Sequence, residues 1–353
     1  MKRKINVGIV GFGQGGKVFH APIIQGIEGL SLTKIVARKQ ETIEDIKKIY
    51  PSVETVSDID SLLQDEELEL VVIATPNITH TEFAKKALLA NKHVVVEKPF
   101  TNTSKEAEEL IELAEKQNKI LTVNQNRRWD SDFLTVKKII ENNFLGNIVE
   151  YEAHFDRFRN VVNKDDWKEE SLPGAGILYN LGSHLIDQAL CLFGIPKEIT
   201  AHVGIQREEA KVEDFFHVIL HYEKHKAVLR AGMLVREALP HFIVLGDKGS
   251  FVKYGMDPQE EALKAGELPY NNELWGTESE EIWGILNTEV SDSHFRGKVE
   301  SNKGDYRELY RNVYKAIIGE EVLQVKPQEA RDTIKIIELA LKSNKEKRTI
   351  PFL

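Results

Sequence analysis

A single cysteine, Cys191, is present in 353 residues, which excludes an internal disulfide and fits a reducing compartment. It lies within "ALCLFG", an apolar setting that marks it for core packing. Basic residues are outnumbered, 47 Lys and Arg against 56 Asp and Glu for a net charge of −9. That balance excludes a sequence-independent hold on nucleic acid, which needs a basic surface. No apolar run approaches the ~18–20 residues that cross a bilayer, so no membrane partner is expected. The opening "MKRKINVGIV" enters an apolar strand at once and leaves no room for a signal peptide; a cytoplasmic protein is expected. Low-complexity tracts and internal repeats are missing. His217, His221 and His225 lie close together, but no Cys or near carboxylate completes a ligand set, and no metal is expected.

What is there points to two domains, since a single core stops growing beyond roughly 250–300 residues. The first, 1–123, alternates short apolar runs with helical patterns, as parallel α/β sheets do. Strands are expected at 5–10, 32–37, 70–74, 93–97 and 120–124, and helices at 15–27, 41–49, 80–90 and 106–119. Runs such as "LVVIA" and "HVVV" are apolar throughout, as in strands covered on both faces.

The second domain, 124–353, has a different grammar. In "NIVEYEAHFDRF" Val149, Tyr151, Ala153 and Phe155 alternate with Glu150, Glu152, His154 and Asp156, the period of a strand with one buried face. Two hairpins follow, turning near 223–225 and at 246–249. Helices are expected at 133–142, 181–193, 306–318 and 328–343. The stretch 256–304 reads as polar and irregular, a lid or contact region. Within it one helix starts at Asp257 as cap and Pro258, and stops at Gly266.

The chemistry is carried by strand ends. "VGIVGFGQGGKVF" places Gly11, Phe12, Gly13 and Gly16 in a G-x-G-x-x-G loop directly after a strand and opening a helix. Such glycines allow a tight turn, close approach of backbone to a pyrophosphate and close helix packing, while the helix start offers N–H groups to phosphate. A NAD site usually carries Asp or Glu about 20 residues on, at the ribose 2′-OH. Ala37 occupies that place, followed by Arg38 and Lys39, two cations suited to a 2′-phosphate. NADP is therefore expected in preference to NAD. The next strand ends in "ATPNITH", offering Thr75, Pro76, Asn77 and His80 to ribose or nicotinamide, where open α/β sheets bind ligands. "VVVEKPF" then delivers Glu97 and Lys98 to the same crevice. Pro99 biases Lys98 away from helical angles. A lysine there, its pKa lowered by desolvation, can act as general base for an alcohol, with Glu97 orienting it or holding the nicotinamide ribose.

The glycine loop, "ATPN..H" and "EKP" together resemble the Gfo/Idh/MocA family of NAD(P)-dependent sugar and polyol dehydrogenases. "NQNRRWDSDFLT", "LYNLGSHLIDQALCLFG", "FVKYGMDPQEEALKAG" and "SNKEKRTI" narrow the similarity to NADP-dependent scyllo-inositol dehydrogenases. The resemblance implies a Rossmann domain followed by an α/β domain with a large open, mostly antiparallel sheet, and a homodimer or homotetramer paired through that sheet. In the family an Asp and a His four residues apart join the lysine at the substrate. Here they correspond to Asn180 and His184, which share a face of a regular helix. The amide of Asn180 binds a hydroxyl but takes no proton. Arg127, with Arg128 beside it, and Trp129 follow the last Rossmann strand and are candidates for substrate hydroxyls, with a salt bridge between domains as the competing role. The expected activity is interconversion of a secondary alcohol and ketone, or an aldose and lactone, on a cyclic polyol or sugar. Two alternatives within the resemblance are a non-catalytic dinucleotide-binding regulator and an NAD-dependent glycosidase.

Overall fold

Six parallel strands make the first sheet: β1 (Ile5–Val10), β2 (Leu30–Val36), β3 (Glu54–Val56), β4 (Leu68–Ile73), β5 (His93–Val96) and β6 (Leu121–Val123), in the order β3-β2-β1-β4-β5-β6. That order is the doubly wound Rossmann arrangement, in which ligands bind beyond the carboxyl ends of the strands. The computed structural model describes residues 3–163, 167–291 and 293–353. Five of these strands match the expected ones to within two residues. The sixth, β3, has exposed or half-buried side chains and so carries no apolar signal. The short helix α3 that follows it was also not anticipated.

Flanking helices are α1 (Ala21–Gln25), α2 (Gln40–Ile49), α3 (Ile59–Leu63), α4 (His80–Leu89) and α5 (Ser104–Lys116). α5 shows how local chemistry sets an element. Thr103 accepts from the Glu106 N–H while the Glu106 carboxylate takes the Thr103 N–H, satisfying two otherwise unpaired donors. Its Ala107, Leu110, Ile111 and Ala114 are buried, at the spacing of one helix face. Ahead of α1 the chain is wound as a π-turn over Gly15–His20, so the expected single helix over 15–27 is two differently wound pieces.

The second sheet has nine strands: β7 (Ile148–His154), β8 (Glu198–Gly204), β9 (Phe215–His221), β10 (Lys226–Gly232), β11 (Phe242–Gly246), β12 (Gly249–Lys253), β13 (Gly284–Val290), β14 (Ser293–Val299) and β15 (Ile350–Pro351), ordered β14-β13-β12-β11-β7-β10-β9-β8-β15. All neighbours are antiparallel except β7 and β10. The expected alternation in β7 holds for Tyr151, Ala153 and Phe155, which are buried, but Val149 is exposed. Helices α6 (Ser131–Glu141) and α7 (Ser183–Phe193) belong to this unit, and a π-turn over Leu178–Gly182 leads into α7. The stretch 256–304 is not irregular throughout, because the β13–β14 hairpin lies in it. β14 is an edge strand whose side chains are mostly exposed, so period-two patterning is weak there. Asp257, expected as a cap for its own helix, also accepts the Ser131 N–H at the start of α6 at 2.7 Å.

By packing, the first unit comprises the chain up to Asn126 together with Gln259–Trp275 and Tyr306–Arg331. The second takes in Arg127–Pro258, Gly276–Asp305 and Asp332–Leu353. Helices α8 (Gln259–Lys264) and α9 (Arg307–Ile317) therefore lie in the first unit, although a single boundary near residue 123 assigns them to the other; α10 covers Pro327–Glu346. The reason is visible in α9. Its buried Leu309, Tyr310, Val313 and Tyr314 include a phenol, Tyr314, that donates to the Arg3 carbonyl at 2.9 Å. Thr122 likewise donates to the Val325 carbonyl at 2.7 Å.

Candidate active site

In the first unit the glycine loop has the geometry its sequence promised. Gly11 has φ +98°, and a Cβ there would meet the Ala74 carbonyl oxygen at 2.6 Å; one at Gly16 would meet the Gly11 oxygen at 2.2 Å. Gly13 is different, with nothing within 4 Å of such an atom. Two glycines thus close the turn, and the third faces open space of the kind a pyrophosphate needs. The π-turn that follows has no side-chain cap, leaving its first N–H groups for an anion. Phe12 is buried edge-on against Tyr50 at 6.2 Å. Only its backbone can serve a cofactor.

At the end of β2 the side chains of Arg38 and Lys39 are exposed, and Arg38 Nε donates to the Ser57 carbonyl at 3.2 Å. Among the described residues of that strand end no carboxylate stands in the sequence position of a ribose 2′-OH partner. Asp58, one strand over, is occupied: the Ser57 hydroxyl and the Ser61 N–H hold its carboxyl at about 2.

The strand ends of β4 and β5 are tied together by His80. Its ring is 1% exposed, with Nδ1 2.9 Å from the Pro99 oxygen and Nε2 2.9 Å from the Thr75 oxygen. Burial pushes its pKa below the ordinary value, against the pull of those two carbonyls. Expected as a cofactor contact, His80 is turned inward, with a carbonyl at each ring nitrogen, of which the neutral ring can donate to one. Asn77 is also buried, its amide donating to Asn102 at 3.2 Å. Thr75 and Pro76 remain accessible.

Glu97 and Lys98 emerge at the end of β5, and the Lys98–Pro99 bond is cis. Burial opposes ionisation of Glu97, yet His20, Lys98 and Asn124 together hold its carboxyl at about 2. Asn124 Nδ2 donates to Glu97 Oε1 at 2.8 Å, and the Lys98 N–H donates to Oε2 at 2.8 Å. Lys98 is half-buried. The strand end therefore presents Lys98 with its backbone N–H fixed by an ionised carboxylate, a place from which a lysine can move a proton.

In the second unit the candidates lie on α7 and on the turn Asn126–Trp129. Arg127 and Arg128 are buried, and each makes an ion pair within this unit. Arg127 Nη1 lies 3.0 Å from Asp130, with the guanidinium over the Phe155 ring at 5.0 Å. Arg128 grips Asp187 with two hydrogen bonds of 2.8 and 2.7 Å, the planar fork that strengthens such pairs. Gln188 donates to the Arg127 carbonyl at 3.1 Å. These contacts pin α7, on which His184 is 5% exposed; Asn180 and Trp129 are half-buried. Asn180 belongs to the π-turn and His184 to the α-helix. The pair expected on one regular helix therefore lies across a change of winding.

Sequence reasoning missed His20, Asp187 and Glu213. A Cβ on Gly176, where φ is +85°, would fall 2.2 Å from the Glu213 carboxylate. Burial pushes Glu213 up to about 7, even with the Leu178 N–H directed at it. The carboxyl thus abuts the start of the π-turn that carries Asn180.

With this geometry in view, known proteins place the chain. Residues 5–125 match the oxidoreductase family's NAD-binding Rossmann fold, and 137–352 match its C-terminal alpha/beta domain. The chain belongs to the Gfo/Idh/MocA oxidoreductase family. It is 40% identical over 346 residues to scyllo-inositol 2-dehydrogenase (NADP(+)) IolW of Bacillus subtilis, covering 98% of this chain and 95% of that one. It is 41% identical over 351 residues to the uncharacterized oxidoreductase YdgJ of Escherichia coli, with 99% of each covered. A solved oxidoreductase from Bacillus cereus superposes with a TM-score of 0.91 at 34% identity, covering 99% of both chains. An NAD(P)-binding oxidoreductase of the sugar and polyol type follows. Among the described residues no helix is long and apolar enough to cross a membrane.

Proposed function

We propose that the protein is an NADP-dependent dehydrogenase of a cyclic polyol, with an inositol as the first substrate to test. The observation that carries the reading is Lys98 beside an ionised Glu97 at the carboxyl end of β5, in a sheet whose glycine loop leaves space for a pyrophosphate. Similarity to a scyllo-inositol dehydrogenase supports the substrate class, and exposed Arg38 and Lys39 support the 2′-phosphate.

The glycine loop, with Arg38 and Lys39 at the β2 end, would hold NADP, which would supply the hydride acceptor for the alcohol carbon. Lys98 takes the hydroxyl proton as general base, and in the reverse direction returns it to the alkoxide. Glu97 keeps the lysine's backbone fixed. His184 donates a hydrogen bond to substrate oxygen, Asn180 binds a hydroxyl, and Arg127 and Trp129 line the sugar. In this reading domain 1–123 holds cofactor, and domain 124–353 holds substrate and pairs with a second copy through its sheet.

Steady-state turnover of a polyol and aldose panel with NADP and NAD tests the reading. NADPH formation with at least one inositol, at higher kcat/KM than with NAD, is expected. No turnover of any polyol or aldose with either cofactor overturns it.

A further inference from the structure

Two residues that no motif includes, His20 and Tyr310, stand behind Glu97. His20 is the last residue of the π-turn that starts at the glycine loop, and its ring is wholly buried. Its Nε2 lies 2.9 Å from Glu97 Oε1. Its Nδ1 lies 2.6 Å from the hydroxyl of Tyr310, a buried residue of α9 that is 290 positions away in sequence. The two rings meet edge to face, with centroids 6.0 Å apart. All of these groups belong to the first unit.

We propose that Tyr310 and His20 are positioning residues that lock Glu97 as the carboxylate anchoring Lys98. Resting on the reading of Lys98 as the acid/base, the inference follows from donor arithmetic. A phenol has one proton to give, and a neutral imidazole has one N–H and one lone pair. When Tyr310 donates to Nδ1, the ring's own proton must sit on Nε2, the nitrogen that lies 2.9 Å from Glu97 Oε1. Burial, with the nearby Glu97 charge adding to it, keeps the phenol protonated, so that it has a proton to give. Glu97 Oε1 then receives His20 and Asn124, and Oε2 receives the Lys98 N–H. The ionisable groups facing this carboxylate are His20, Lys98 and His80, with Tyr310 behind His20. One histidine thereby ties the phosphate-binding turn to the strand end that bears the lysine. A helix from the far end of the chain sets that histidine's tautomer.

Tyr310→Phe in the full chain removes the hydroxyl and keeps the ring. In spectra of protein labelled with 15N-histidine, His20 of the parent should show a single Nε2–H tautomer, and the variant a mixture. Turnover should fall roughly tenfold in kcat, as outer hydrogen-bond partners typically affect the groups they orient, with KM for the polyol unchanged. The acid limb of the pH–rate profile should move to higher pH, because a carboxylate losing a donor is protonated more easily. His20→Gln, whose amide can still donate to Glu97, should retain most of the rate and become indifferent to Tyr310→Phe. An Nδ1–H tautomer in the parent, or a parental tautomer and pH profile in Tyr310→Phe, overturns the proposal. The tautomer readout needs no turnover, so a parent inactive on every polyol would sink the functional reading while leaving the Tyr310–His20 chain still under test.

Discussion

The candidate residues of the two units are held on opposite plans. In the first unit the candidate groups stand at the ends of parallel strands and are set by backbone: the Lys98 N–H on Glu97 and the glycine turn against the Ala74 carbonyl, with Glu97 itself fixed from farther off by Asn124 and His20. In the second they stand on one helix, which is held by charges far away in sequence, Arg128 on Asp187 being the clearest case. The shared feature is winding. A π-turn follows the glycine loop, over Gly15–His20, and another, over Leu178–Gly182, bears Asn180; π-turns are rare and are frequent at functional sites.

The comparison is sharpened most by Lys98→Met. If the first unit carries the chemistry, kcat falls by roughly 10²–10⁴, the usual worth of a positioned acid/base, while NADP affinity by fluorescence titration stays near the parent's. A loss under tenfold at saturating substrate would move the acid/base role elsewhere.

Asp187→Ala tests the other plan. It leaves the buried Arg128 guanidinium without its carboxylate, and removing one partner of a buried pair costs about 3–5 kcal/mol. Chemical denaturation should show that loss, with substrate KM rising because α7 carries His184. Binding of NADP by the surviving native protein should change little. Equal damage to cofactor binding would mean that the halves are not separable in this way.

How far the molecule can be read from its sequence follows the same division. The first sheet was legible because its covered strands are apolar throughout and its glycine loop sits between strand and helix. Lys98 and Glu97 were legible because a strand cannot end in charge without reason. His20 was not, since a histidine on a helix start has no partner in sequence, and Tyr310 comes from a helix that a linear boundary assigns to the other domain. The β13–β14 hairpin was hidden by its exposed edge strand. The inward turn of the His80 and Phe12 side chains was not legible either, because sequence reports which residues reach the crevice, not which way they turn on arrival.

Arg38→Asp comes next in size. It removes a cation from the β2 end and places a carboxylate there, which repels a 2′-phosphate and can accept a ribose hydroxyl. The NADP/NAD ratio of dissociation constants should shift by about tenfold or more towards NAD, as the loss of one charge-assisted contact implies. An unchanged ratio removes Arg38 from cofactor choice.

The smallest effect separates two carboxylates that their surroundings drive apart. Glu97 is held at about 2 by its donors, and Glu213 is pushed up to about 7 by burial. An unfolded glutamate titrates near 4.3, so the signs of linkage are opposite. Glu97 contributes stability that is present above that value and is lost as pH falls towards 2. Glu213 favours the folded state in its protonated form, so its contribution is present below about 4.3 and is lost as pH rises through 7. Glu213→Gln cannot ionise. It should match the parent at pH 4.5 and exceed it at pH 8 by about 1–2 kcal/mol, the range left after discounting the shift for partial exposure. Glu97→Gln should do the reverse, losing stability at pH 8 relative to the parent and losing less at pH 4. Denaturation curves across that pH range read both. Parallel curves for Glu213→Gln and the parent would mean that the notch over Gly176 does not confine the carboxyl. The π-turn bearing Asn180 would then have no titrating group at its start, and any pH dependence near neutrality would have to arise in the first unit.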